Sequence, residues 1–247
     1  MKKFFACFLI LAVFFVFIFC LGWTQFRLKP DMVGVVISKT NGIAEKPVLN
    51  GEFSWYWQFL LPTNAKLKTF SIKPVNVEKS VKGQLQSGQV YTSIFSVSDT
   101  FDYDFTFSIS VTLGPDHIIS LLKENVISDD NDLTEYLNKA ADTIAQLATD
   151  FYLKKAQDNP SFRPESVRRE DLLRAIQLYK DFPEVDLLAF AVKSSKIPDY
   201  KLYQKLQSQF LTGQVDSLTG AEYSPEDSLE NSLSENPENP DEKNEEN

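Results

Sequence analysis

Few residues in this chain are of types that do chemistry. There is one histidine, His117, and there are two cysteines, Cys7 and Cys20. A single His excludes any site that needs two, such as the pair in an HExxH zinc hydrolase. Two cysteines cannot supply a site of four thiolates, and both lie in the apolar run near the start of the chain. Residues 24–247 contain no Cys, so they form no disulfide and no thiolate site. His117 follows Pro115 in the first turn of an expected helix. No Gly-x-Ser-x-Gly elbow or P-loop accompanies it, and it reads as a surface side chain.

The acidic groups invite a cation reading. Asp102 and Asp104 share one face of an expected strand, with Asp99 close in sequence. Asp129, Asp130, Asn131, Asp132 and Glu135 suggest calcium, but an EF-hand loop needs Gly at its sixth position and Glu at its twelfth. Counted from Asp129, those positions hold Thr134 and Ala140. A solvated strand face and a capped helix start account for the two groups better. Arg163, Arg168, Arg169 and Arg174 are interleaved with Glu165, Glu170 and Asp171, as on a solvated helix face. No nucleophile–base pair or metal constellation emerges. No catalytic residue and no cofactor is implied, and the expectation is a protein that is not an enzyme.

The most distinctive side chains are aromatic. Phe53, Trp55, Trp57, Phe59 and Leu61 alternate along a stretch ended by Pro62. One reading makes Trp55, Trp57 and Phe59 a lip resting on a membrane, since indole rings favour the water interface. The other makes the row ordinary sheet core.

This row follows closely in sequence on Phe4–Trp23, twenty residues without a charge, seven of them Phe. At 1.5 Å per residue the run is about 30 Å long, the thickness of a bilayer's hydrocarbon core. Phe4, Phe8, Leu11, Phe15, Phe19 and Trp23 are taken as membrane-anchoring residues. A cleaved signal peptide has an apolar core of about 7–15 residues, shorter than this one. Cys20-Leu21-Gly22 is a weak cleavage site, and Ile18-Phe19 before Cys20 does not fit a lipoprotein box. The expectation is an uncleaved single-pass anchor behind a stub of residues 1–3. Lys2 and Lys3 nearly balance Arg27 and Lys29 across it. A stub so short usually stays inside, which places the soluble part outside the cytoplasm, in the periplasm.

Charge separates the other end. The net charge is −9, from 25 Lys and Arg against 34 Asp and Glu. Glu222–Asn247 holds ten acids and one Lys and carries all of it, leaving 24 of each sign in residues 1–221. A formally neutral body with no basic face argues against nucleic acid as a partner. Tyr223, Leu229 and Leu233 are the only large apolar residues in that tail. They cannot offset an ordering cost of about 1–2 kcal/mol per residue, so residues 214–247 are expected to be a disordered acidic tail.

Between the ends, periodicity predicts the elements. Met32–Lys39 is a strand, and Asn41-Gly42 supplies the positive-φ positions of a tight turn. Ile43–Leu49 is an edge strand because Pro47 lacks a donor, and Phe53–Leu61 completes a meander. Leu67–Val77 is extended, Glu78–Gln89 is a loop, and Val90–Val97 is a strand. In Phe101–Leu113 every odd position is apolar and every even one polar, which marks a sheet wet on one face. Helices follow at Pro115–Lys123, at Leu133–Lys155 with Asp132 as cap, and at Glu165–Lys180. Val185–Val192 is a buried strand. Tyr200–Leu211 is a last helix with Tyr200, Tyr203, Leu206 and Phe210 on one side, ended by Gly213. The fold class is α+β with a mostly antiparallel sheet and packed helices.

This order resembles the SPFH or band 7 superfamily of stomatins, prohibitins and bacterial membrane-protease modulators. An N-terminal membrane segment precedes a Val-Gly-Val-Val strand, Val33–Val36. Trp57-Gln58-Phe59-Leu60-Leu61-Pro62 is similar to that family's aromatic, Leu-Pro pattern. A long alternating strand leads into a helix, and Arg168-Arg169-Glu170-Asp171-Leu172-Leu173 feeds a last strand. The resemblance covers residues 4–211, with 24–198 as the SPFH-like domain and 199–213 as a short helix where the family carries a long coiled coil. It implies a membrane-attached scaffold that self-associates, organises a patch of bilayer, or restrains a membrane protease. Tyr200, Tyr203, Leu206 and Phe210 are candidates for partner contact. A tethered extracytoplasmic binding protein for a small ligand or envelope partner is the other functional class considered.

Overall fold

The computed structural model describes residues 2–24, 28–159 and 161–219; of the expected tail 214–247, residues 214–219 belong to the last helix instead, and the rest lies outside the described residues. The chain is α+β, with two three-stranded antiparallel sheets and six α-helices among the described residues. Helix α1 (Lys2–Gly22) is long and apolar enough to cross a membrane. None of its most apolar stretch is buried within the fold.

The first sheet has the order β2-β1-β3, from β1 (Met32–Ser38), β2 (Gly42–Ile43) and β3 (Ala65–Ser71). Gly42 takes the positive φ of 69° that its turn requires. The expected second strand is cut to two residues. Its chain rejoins β1 at Val48, whose amide donates to the Gly34 carbonyl at 2.7 Å and whose carbonyl accepts from Gly34 at 2.9 Å. Pro47 leaves the ladder just before that point, as an edge position allows.

The second sheet has the order β4-β5-β6, from β4 (Val75–Gln84), β5 (Asp102–Leu113) and β6 (Val185–Lys196). In β5 the expected alternation is realised, with Phe105, Phe107, Ile109, Val111 and Leu113 buried. Helix α4 (Asp130–Asp158) packs on this sheet, and its Ala140, Ala141, Ala145 and Ala148 are buried in the shared core. Such small residues let a helix axis approach a strand carrying phenylalanines. One core joins both sheets, running from Val33, Val35 and Phe70 through β5 to Tyr152 and Leu172.

Several elements differ from the sequence-based expectation. Residues 78–84 belong to β4 and not to a loop. Lys79 reaches Asp142 on α4 at 2.7 Å, and Gly83 leaves room for Tyr103, whose hydroxyl would lie 2.3 Å from an added Cβ. Residues 90–95 lie in helix α2 (Gly88–Phe95), not in a strand. There Thr92 ties its hydroxyl to the Gly88 and Asp99 carbonyls, both at 2.9 Å. Phe53–Leu61 is no strand either; Trp57–Leu60 forms a 3₁₀ turn. Strand β6 is an edge strand, and Leu188 is exposed. The long helix expected at Glu165–Lys180 is split into two 3₁₀ turns around α5 (Arg169–Ile176). Asp129, not Asp132, caps α4, its carboxylate accepting from the Asn131 and Asp132 amides at 2.9 and 3.0 Å. Helix α3 (Pro115–Lys123) stands as expected, with Pro at its start. The last helix, α6 (Tyr200–Thr219), passes through Gly213 instead of ending there.

Candidate functional site

The aromatic row lies against the C-terminal end of α1. Gly51, at φ 92°, turns the chain so that residues 53–56 run back beside the helix end. The Thr24 amide and hydroxyl both donate to the Ser54 carbonyl at 3.1 Å. The Tyr56 amide donates to the Gly22 carbonyl at 2.9 Å, and Trp23 and Trp55 form an antiparallel bridge. Carbonyls at a helix C-terminus lack intrahelical partners. Here one of them is satisfied from the loop, and the Trp55 indole Nε1 donates to another, the Phe19 carbonyl, at 3.1 Å.

Rings close the junction. Phe19 and Phe53 stack with centroids 5.7 Å apart and planes 13° from parallel. Trp23 meets Phe19 at 5.6 Å and Phe53 at 5.9 Å. A Cβ on Gly22 would lie 2.3 Å from Trp55 Nε1, so glycine is what admits the indole. Phe53, Trp55, Trp57 and Leu61 are nonetheless 61%, 37%, 45% and 46% exposed, and they belong to neither buried core cluster. The alternative of ordinary sheet core therefore does not describe this row. Phe59 is half-buried. Phe4, Phe8, Leu11 and Phe15 lie exposed along α1, and Phe19 and Trp23 are occupied at its end.

The helix-borne aromatics sit elsewhere. Tyr203, Leu206 and Phe210 pack with Tyr91 of α2 and with Phe101 in a second small cluster. Tyr200 is buried beside Tyr203, and burial pushes its phenol up to about 12. The Tyr203 hydroxyl donates to the Gln86 carbonyl at 2.7 Å. Within the chain, this face packs on α2 and Phe101.

The acidic groups are engaged locally. Asp104 pairs with Lys82 at 2.7 Å, Asp102 accepts from the Thr100 hydroxyl at 2.6 Å, and Asp99 accepts from the Phe101 amide at 2.9 Å. Asp130 accepts from the Ser71 amide at 2.6 Å, Asp132 holds Ser128, and Glu135 pairs with Lys139. Hydrogen bonds from Ser128 hold the Asp132 carboxyl below its usual range. Among the described residues no three His, Cys, Asp or Glu side chains group as a metal site would require. His117 Nδ1 lies 3.1 Å from the Glu184 carbonyl oxygen, on the surface. Arg169 donates to the Leu188 carbonyl at 2.7 Å and covers part of the β6 edge. A cavity of about 730 Å³ between α4 and α5 is lined by Phe151, Phe162, Lys155, Asp158, Asp171 and Arg174, whose charges cancel.

No family model matches the chain. An uncharacterized protein of Treponema pallidum (strain Nichols) is 26% identical over 194 residues, which is 76% of this chain. The chain covers 65% of that relative's length. This likeness brings no function with it, and neither finding names the SPFH or band 7 family.

Sequence reasoning marked the aromatic row but not the helix end that it binds. The missed residues are Gly22, Thr24 and Phe19, which bind the loop. Gly22 immediately before Trp23 was a usable signal, since a glycine at the mouth of an apolar helix often marks close approach of another chain segment.

Proposed function

We propose that the chain is a single-pass membrane-anchored scaffold or regulator with an SPFH-like domain outside the cytoplasm. In this reading α1 spans the bilayer, and the loop bearing Phe53, Trp55 and Trp57 rests on its surface as a second contact. The domain is thereby held close to the membrane, where it can associate with copies of itself and restrain or organise membrane proteins, a protease among them. The observation that carries the proposal is the aromatic loop bound to the end of α1 while leaving its own rings exposed. Exposed indoles and phenyls beside a membrane-length helix suit the interfacial zone.

Crosslinking in intact membranes tests the scaffold. Ladders of multiples of the chain mass, or a stable crosslink to a membrane protein, are expected; a strictly monomeric pattern rejects it. A topology reporter fused after Gly213 tests the side of the membrane, and activity on the cytoplasmic side rejects the placement outside.

A further inference from the structure

A second cavity, of about 450 Å³, opens beside the membrane junction. It lies between the β1–β2 edge and the 3₁₀ turn at Trp57–Leu60, and Lys46, Lys123, Tyr56, Gln58 and Glu45 line it. Its size is within the about 300–1,000 Å³ typical of small-ligand sites. One wall is anchored at membrane level, because the Tyr56 amide is bonded to Gly22 at the end of α1.

Two features point to a ligand. Gln58 is 8% exposed, and its Oε1 has no hydrogen-bond partner. A buried acceptor left unsatisfied is rare and costly, and each such group asks for a donor. Gln58 lines the cavity, and its terminal amide torsion is a broad one. Secondly, Lys46 and Lys123 outnumber Glu45, and among the described residues neither Lys is in an ion pair. The cavity therefore offers two cations to an anion and one acceptor to a hydroxyl.

We infer that this cavity binds a polyol phosphate, with the phosphate between Lys46 and Lys123 and a hydroxyl donating to Gln58. The chemistry is that of a phosphatidylglycerol headgroup and equally of free glycerol phosphate. As a lipid site it rests on the membrane placement proposed above; as a solute site it does not.

The test uses the full chain in neutral detergent. Thermal unfolding is followed with dioctanoyl phosphatidylglycerol, dioctanoyl phosphatidylcholine or glycerol 1-phosphate. At tenfold excess over Kd the midpoint should rise by about 3–6 °C. A rise with the glycerol lipid alone assigns a headgroup site, and a rise with glycerol phosphate as well assigns the shared chemistry. No rise with either, or an equal rise with phosphatidylcholine, overturns the inference. Lys46→Ala/Lys123→Ala should abolish the rise while keeping the unliganded midpoint. Gln58→Leu should keep or raise the unliganded midpoint, since it removes the orphaned acceptor, and should still reduce the ligand-induced rise. A full rise in both variants also overturns the inference. Tryptophan emission in phosphatidylcholine vesicles separately reports the aromatic contact. A blue shift there with no headgroup effect sinks this inference and leaves the membrane placement standing.

Discussion

Replacing Gly22 by Ala should loosen the aromatic loop without touching the fold. The new Cβ would lie 2.3 Å from Trp55 Nε1, 2.4 Å from Cε2 and 2.9 Å from Cδ1. Ordinary carbon contacts are about 3.5–4.0 Å, so the indole must move by more than an ångström. That breaks its 3.1 Å bond to the Phe19 carbonyl, worth about 0.5–1.5 kcal/mol. Part of the Phe19–Phe53–Trp23 arrangement follows it, and such aromatic pairs contribute about 0.5–1.5 kcal/mol each. Ala offsets some of this loss, being about 0.5–1 kcal/mol better than Gly inside a helix and less at its last residue. The net local cost is about 1–2 kcal/mol, a factor of about 5–30 in the open population. Hydrogen exchange in detergent reads it at the Thr24 and Tyr56 amides, which are bonded across the junction. Their exchange should quicken by about that factor, while the β5 amides keep their protection. Unchanged exchange at Tyr56, or equal acceleration in β5, would refute the reasoning.

Three further outcomes follow from the same geometry. Asp129→Ala should cost about 0.5–2 kcal/mol and lower the melting temperature, and Asp132→Ala should cost less, because only the former removes the cap of α4; the reverse order in calorimetry would restore the sequence-based assignment. Leu206→Ala should destabilise the α2–α6 cluster by about 2–5 kcal/mol and expose α6 to limited proteolysis while the β5 core survives; unchanged cleavage would show that the helix is held by something else. Burial, reinforced by Glu165, pushes the Tyr152 phenol up to about 12, against about 10 in the unfolded chain, so unfolding releases protons between those values. Stability from this group is whole below about pH 10 and is lost as pH rises towards about 12, and Tyr152→Phe should flatten that alkaline limb in urea titrations; an equally steep limb would contradict the assignment.

How legible each segment was depends on where its partners lie. Strand β5 could be read because both its faces are uniform, one against α4 and one half-exposed, so alternation alone carries it. Strand β4 could not be. Its Lys79 and Gly83 look like loop residues, yet the first answers Asp142 on a distant helix and the second makes space for Tyr103. Both reasons are tertiary. Residues 90–95 are β-branched and aromatic in part, but Tyr91 faces Phe101 and α6, and that contact outweighs a strand preference. The alternation at Phe53–Leu61 was real and its meaning different. Phe53 and Trp55 pack on the end of a helix, joined to it by a single bridge at Trp23, and residues 57–60 turn away in a 3₁₀ turn.

Separation of the junction from the core has a functional consequence. Phe53, Trp55 and Trp57 contribute to neither core cluster, so the fold does not need them buried. Each large aromatic can bury about 150–250 Å², and these are roughly half exposed. Covering the remainder with lipid at about 25 cal/mol per Å² gives about 5–9 kcal/mol for the three as an upper estimate. That is comparable with the membrane affinity of one acyl chain, itself a marginal anchor. If α1 spans the bilayer as proposed, the helix alone would leave the attached domain free to swivel. Adding a contact of this size beside the helix end removes much of that freedom, and a domain held at fixed height and tilt meets its neighbours in one repeated geometry. In the proposed scaffold the aromatic loop would serve assembly through orientation, because it does not have to serve folding.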